Sequence, residues 1–360
     1  MSETKKSHPY SALEDRALWR KAVGTVNPLM VTDLYRRKFE IRPEDRIVTA
    51  GSCFAQHLAR KLRESGFNFC DYEPAPDLFP ASEAKAYNYG VYSARYCNIY
   101  TIRQLWQTFE RAFAHREPAE GVWEAEDGCY DPFRPVVEPG PFASREDLEA
   151  SRRSHLAACR RVFTECDLFV FTLGLTEAWE SKLDGSVYPL CPGTVAGEFD
   201  PSRHGFRNFT FGECYADMTS FIDALREVNP TVKILLTVSP VPLTATKAPE
   251  HIMVATSYSK SVLRAVAGQL ASENAFIDYF PSFEIIAATP MRAMFYERNM
   301  RSVSPAGVDF VMSHFFEKHR PRADAPAPRQ TPADAPSKPR PVDPDEADVV
   351  CEEMLLDQGL

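Results

Sequence analysis

No stretch of the sequence holds the twenty or so consecutive apolar residues that a bilayer-spanning helix needs, so no transmembrane helix is expected. Nor does Met1-Ser2-Glu3-Thr4-Lys5-Lys6-Ser7 lead into an apolar core with a cleavage site, as a secretory leader would, and a cytoplasmic location is the expectation. Basic residues are in deficit. Lys and Arg number 41 against 50 Asp and Glu, a net charge of −9. Phosphate neutralisation needs clustered cations, so neither nucleic acid nor an anionic membrane is expected as a partner. CxxC pairs are missing too, and the nine cysteines follow no disulfide framework and no zinc-ligand spacing. Reduced thiols fit that pattern, and no metal site is expected.

What is present is enough for a sizeable core: 360 residues, 44% of them hydrophobic, allow one or two domains. Residues 1–44 read as an N-terminal arm. Residues 45–320 alternate between strand and helix patterns. Strands are expected at Arg46–Ala50, Leu168–Leu173, Lys233–Val238 and Ala275–Asp278, with a weaker one at Asn68–Tyr72; helices are expected at Thr101–His115, Ser144–Cys166, Phe211–Val228, Ser257–Ser272 and Pro305–Lys318. Ile234-Leu235-Leu236-Thr237-Val238 is apolar throughout, as a strand covered on both faces should be. This alternation predicts an α/β fold with a parallel sheet, a three-layer α/β/α arrangement of flavodoxin-like type whose ligands bind beyond the carboxyl ends of the strands. Ser144 ahead of Asp147, and Ser304 ahead of Pro305, mark two helix starts. Residues 321–344 hold eight prolines and read as an extended, disordered linker. In residues 345–360, Val349, Val350, Met354, Leu355 and Leu356 alternate with carboxylates, a peptide that either frays or docks on this protein or a protein partner.

The most informative segment is Gly51-Ser52-Cys53-Phe54-Ala55. A strand precedes it, and Phe54, Leu58 and Leu62 follow at helical spacing, so a hydroxyl and a thiol are expected at a strand-to-helix turn. Free amides and the positive end of the dipole at such a turn favour a thiolate and can cradle an anion. A capping serine followed by a buried cysteine would read the same way.

With its flanking strand and helix, the pentapeptide resembles the signature of the GSCFA family, which is related to the SGNH (GDSL-type) hydrolases. The resemblance spans most of residues 45–319 and implies an SGNH-type fold with acyl-ester chemistry. Laid on the Gly-Asp-Ser block of that superfamily, Gly51-Ser52-Cys53 puts Cys53 at the nucleophile, with Ser52 as its rival. The Gly-x-Asn-Asp block corresponds to Gly174-Leu175-Thr176-Glu177, where Thr176 stands in for the oxyanion-binding Asn and Glu177 becomes a candidate acid, base or substrate ligand. Gly90 is the candidate second-block glycine, and Asn98 could supply a side-chain donor. The Asp-x-x-His block is replaced by Asn299 and Ser302, neither of which can do acid–base work near neutral pH. Another base is therefore needed: His251 in the loop after the third strong strand ranks first, His204 in a long loop second, and His57, one turn after Cys53, third.

The expectation is an esterase or O-acyltransferase acting on a small-molecule or carbohydrate acceptor, with an acyl thioester such as coenzyme A as the donor for transfer. The alternatives are a non-catalytic ligand-binding module and a thiol redox sensor.

Overall fold

The computed structural model describes residues 8–319, and the segments 321–344 and 345–360 lie outside the described residues. In chain order, β1 (Ile47–Gly51) runs into α1 (Phe54–Glu64), and α2 (Ile102–Ala112) follows a long connection. A short hairpin of β2 (Trp123–Ala125) and β3 (Gly128–Tyr130) precedes α3 (Arg145–Glu165) and β4 (Leu168–Leu173). Then come β5 (Glu177–Ser181), β6 (Val187–Tyr188), β7 (His204–Asn208), α4 (Phe211–Val228), β8 (Lys233–Val238), α5 (Ile252–Glu273), β9 (Ile277–Tyr279), α6 (Ser282–Ala287) and α7 (Pro305–Lys318). Among the described residues no helix is long and apolar enough to cross a membrane.

The central sheet is parallel, in the order β1-β4-β8-β9. On the free side of β1, Ile47 pairs in parallel with Phe69, through Ile47 N–H to Asn68 O at 2.9 Å and Cys70 N–H to Ile47 O at 2.8 Å. Counting that edge segment second, the order is the flavodoxin-like 2-1-3-4-5. The edge goes no further because the next amide, Thr49 N–H, is taken by the Ser93 hydroxyl at 3.0 Å. The strand expected at Asn68–Tyr72 is thus reduced to one bridge.

Side chains leave the strands alternately, and the two faces form separate cores. Val48, Ala50, Phe169, Phe171, Leu173, Ile234, Leu236 and Val238 pack with α2, α3, α4 and α5. Leu168, Val170 and Leu235 pack with α1, α6 and α7. The result is the three-layer α/β/α fold. Each fully buried phenylalanine in it, such as Phe169 or Phe221, contributes about 1.5–3 kcal/mol.

Caps set the helix starts. Ser144 Oγ accepts Asp147 N–H at 3.1 Å and Ser304 Oγ accepts Gly307 N–H at 3.2 Å. Thr101 with Gln104, and Thr210 with Glu213, form reciprocal capping boxes. Helix α5 begins five residues earlier than the periodicity suggests. Its first turn exposes Met253 and Val254, which hides the apolar stripe, and its cap is a histidine rather than a Ser, Thr, Asp or Asn. The small antiparallel sheet β6-β5-β7 was not anticipated; it places His204 in a strand rather than in a loop.

Candidate active site

In a 2-1-3-4-5 sheet the strand order reverses between β1 and β4, so a crevice opens beyond their carboxyl ends. Gly51-Ser52-Cys53 leaves β1 at that point, and Gly174 leaves β4 beside it. Gly51 has φ +137°, in the region that glycine favours, and a Cβ there would run into the Thr172 carbonyl oxygen. A Cβ on Gly174 would lie 2.9 Å from both Ser52 Cβ and the Tyr100 oxygen. The two glycines let the turns meet. Gly174→Ala is therefore expected to cost about 1–3 kcal/mol and to displace the Ser52 turn. Thermal unfolding checks this, and an unchanged midpoint would show that the turn yields freely.

Cys53 caps α1, is 6% exposed, and belongs to the apolar cluster that contains Phe54, Val241 and Phe295. Ser52 is also buried, and among the described residues its hydroxyl has no hydrogen-bond partner. Asn98 is drawn to this turn. Its Oδ1 accepts the Tyr92 hydroxyl at 2.5 Å, and Tyr92 Oη lies 3.3 Å from the Ser52 carbonyl oxygen, while Gly51 O accepts Ile99 N–H at 2.9 Å.

The turn after β4 is tied down on every side. Leu175 N–H donates to Tyr100 O at 2.8 Å, Thr176 N–H to Ser259 Oγ at 3.0 Å, and the buried Lys260 ammonium to Gly174 O at 2.7 Å. The Thr176 hydroxyl donates to Asn208 Oδ1 at 2.7 Å, so it must leave Asn208 before it can hold an oxyanion. Lys260 and Tyr92 were given no role from the sequence. Lys260 stands in the polar run Thr256-Ser257-Tyr258-Ser259-Lys260-Ser261, where a lysine on a helix reads as a solvated residue.

Glu177 lines an open, mostly apolar pocket of about 300 Å³, together with Tyr100, Leu175, Trp179, Leu243 and Thr246. Its Oε1 accepts the Thr246 hydroxyl at 2.8 Å, and burial raises its pKa above the usual carboxylate value. Tyr100 and Leu175, which hold the Gly174 turn, also form a wall of this pocket.

The remaining candidates are spread out. His251 is exposed, and its Nδ1 accepts Met253 N–H at 3.2 Å as the cap of α5, which occupies its basic nitrogen. His204 is buried in β7, with Nε2 3.0 Å from Glu120 and Nδ1 accepting Asp200 N–H at 3.1 Å. His57 accepts from Arg60 through Nδ1 at 3.2 Å, and burial pushes its pKa down to about 4. Gly90 sits in an exposed turn whose carbonyl accepts from Arg63, in the last turn of α1, whereas Cys53 heads the first. Asn299 and Ser302 bond to each other at 3.0 Å in a tight turn, which Tyr296 anchors to Pro240 O at 2.8 Å.

The sequence model of the GSCFA family matches residues 46–315, three quarters of the chain, with Gly51-Ser52-Cys53-Phe54-Ala55 at its start. This chain belongs to the GSCFA family. No curated protein matches the sequence. Among solved structures this GSCFA protein is similar, at 14% identity and a TM-score of 0.26, to a candidate platelet activating factor from Streptococcus pneumonia, over 47% of this chain and 65% of that one, just under two thirds of its length. It is similar, at 11% identity and a TM-score of 0.30, to the acetyl xylan esterase Est2A from the rumen bacterium Butyrivibrio proteoclasticus, over 78% of this chain and 64% of that one.

Proposed function

We propose that this GSCFA protein is an acyl-ester hydrolase or O-acyltransferase in which Cys53 is the nucleophile. The observation that supports this most is the meeting of the Gly51-Ser52-Cys53 turn with Gly174 at the switch point of the sheet, with the thiol at the start of α1. The Cys53 sulfur attacks an acyl carbonyl, the C–O bond to the alcohol breaks, and a thioester remains on the enzyme. The thiol proton passes to the Glu177 carboxylate and from there to the departing alkoxide. Water, or the hydroxyl of a carbohydrate acceptor, then attacks the thioester and restores the thiol. An acyl-coenzyme A thioester would load the same sulfur in the transfer direction, its C–S bond breaking to release coenzyme A. First-turn amides of α1 and the Asn98 side chain hold the oxyanion. His251 takes the place of Glu177 as base only if its Nδ1 releases the Met253 amide.

A raised pKa keeps Glu177 protonated to higher pH than an ordinary carboxyl, so a base at this position loses function as pH falls through that raised value. The acidic limb of kcat/KM for a p-nitrophenyl ester is expected above pH 4.5, and Glu177→Gln should abolish that limb along with most of the turnover. Brief exposure to the ester followed by intact and peptide mass measurement should show one acyl increment on the peptide that carries Cys53. A folded protein that binds esters or sugars but never acquires the increment would instead be a ligand-binding module, a reading favoured by the locked Asn299–Ser302 turn and the capped His251.

A further inference from the structure

Away from the switch point, between α2, α3 and the loop after β3, charged side chains are buried together. Asp131 is saturated: it accepts from Arg134 Nε and Nη2 at 3.1 Å, from Arg152 Nη2 at 3.1 Å and from Phe133 N–H at 3.1 Å. Glu73 accepts His155 Nδ1–H at 2.7 Å and Arg95 N–H at 2.7 Å. His155 is neutral, because burial and the neighbouring Arg134 cation push its pKa down to about 4. Burial disfavours the charged Glu73 carboxyl, but the hydrogen bonds from His155 and the Arg95 amide and the Arg134 cation outweigh it and hold its pKa below the usual carboxylate value.

The charges do not balance. Arg111, Arg134 and Arg152 face the two carboxylates of Asp131 and Glu73, an excess of one positive charge. Two of the guanidinium groups are also incompletely used. The Arg134 side chain is 3% exposed, yet among the described residues its Nη1 has no hydrogen-bond partner; the closest carboxylate oxygen, on Glu73, is 3.9 Å away. Arg111 donates to Gln107 O and Thr108 Oγ1 at 3.3 Å and lies 4.0 Å over the Phe133 ring, with no carboxylate within ion-pair distance among the described residues. Both groups line a cavity of about 10 Å³, the room of about one water molecule. Arg134 is paired through Nε and Nη2 but its buried Nη1 is not satisfied, the half-buried Arg111 cation has no carboxylate partner among the described residues, and a neutral water would leave the excess charge uncompensated. The size of the cavity excludes phosphate, sulfate and carboxylate ligands.

We infer that this cavity is a site for a single monatomic anion, chloride in ordinary salt, held between Arg111 and Arg134 Nη1. The ion neutralises the cluster and fixes the packing of α2 against α3, behind Asn98, which shares the cavity wall. The inference does not depend on the proposed acyl chemistry.

The test uses the full chain and needs no substrate. Thermal midpoints are measured in sodium chloride, sodium bromide and sodium gluconate at one ionic strength. Chloride and bromide are expected to raise the midpoint by a few degrees over gluconate and to saturate with concentration. Arg134→Gln should remove that difference; should the variant not fold, Arg111→Gln at the half-buried position serves the same purpose. Crystals grown in bromide should show an anomalous peak against Arg134 Nη1. Equal midpoints in chloride and gluconate, a difference that survives Arg134→Gln, or a bromide crystal with only a water at this point would overturn the inference.

Discussion

Cys53→Ala is expected to lower kcat/KM for ester cleavage by about 10³-fold or more, since removing a nucleophile leaves only binding and oxyanion stabilisation. Ser52→Ala makes the contrast informative. The Ser52 hydroxyl is buried without a partner among the described residues, so the folded protein already bears the cost of its desolvation. Taking it away should leave stability unchanged or raise it by up to about 1 kcal/mol, while the turn and Cys53 stay in place. If Ser52 only shapes the turn, turnover changes little. Loss of turnover in Ser52→Ala with retention in Cys53→Ala would make the hydroxyl the nucleophile and overturn the assignment to sulfur. Loss in neither would remove the switch-point turn from the chemistry. Steady-state kinetics on both variants, with thermal midpoints to show that each is folded, separate these outcomes.

The parts of the fold that could be read in advance are those where one local rule dominates. Leu168–Leu173 and Lys233–Val238 are continuous apolar runs, and a strand covered on both faces is nearly the only soluble use for them. The helices Phe211–Val228 and Pro305–Lys318 carry both a cap and a stripe. What stayed hidden depends on partners distant in sequence. Glu177–Ser181 and His204–Asn208 are strands because they pair with each other, and six of their ten residues are polar. The same holds at the site. Gly51 and Gly174 could be picked out as turn glycines, whereas the reason each must be a glycine lies in Thr172 and Ser52. The histidines show the limit most clearly. Sequence position ranks His251 by the strand end before its loop and His204 by its long loop, but Nδ1 of His251 is engaged by a helix amide and both ring nitrogens of His204 by Glu120 and the Asp200 amide. Lys260 reaches the Gly174 carbonyl across 86 residues of chain, a contact that no local pattern announces.

Acid should unfold the protein well above the pH at which carboxylates alone would do so, and the cause is three imidazoles. Burial lowers the pKa of His57, His155 and His319 from 6.5 to about 4. Each ring is neutral for a visible reason. His319 Nδ1 faces Ile41 N–H at 3.4 Å and its Nε2 lies 3.1 Å from the Tyr35 hydroxyl, so a second ring proton would meet the Ile41 amide proton head on. His57 Nδ1 accepts from the Arg60 guanidinium, and His155 sits beside Arg134. For a base whose folded pKa lies below its unfolded value, the stabilisation is complete above pH 6.5 and is lost as pH falls from 6.5 through 4. At about 1.4 kcal/mol per pKa unit, each imidazole accounts for about 3 kcal/mol once fully titrated and the three for on the order of 10 kcal/mol, as much as the whole net stability of many domains. Glu73, whose pKa is held below the usual carboxylate value, adds its own loss only below pH 4.5. Circular dichroism against pH should therefore show one cooperative transition between about pH 4 and 5, since by pH 5 the three rings have already given up on the order of 6 kcal/mol. His319→Gln keeps both hydrogen bonds, with an amide oxygen for Ile41 and an amide N–H for Tyr35, but cannot be protonated. It should move the transition to lower pH. A wild-type protein that keeps its thermal midpoint unchanged from pH 7 to pH 4 would show that these rings are open to water.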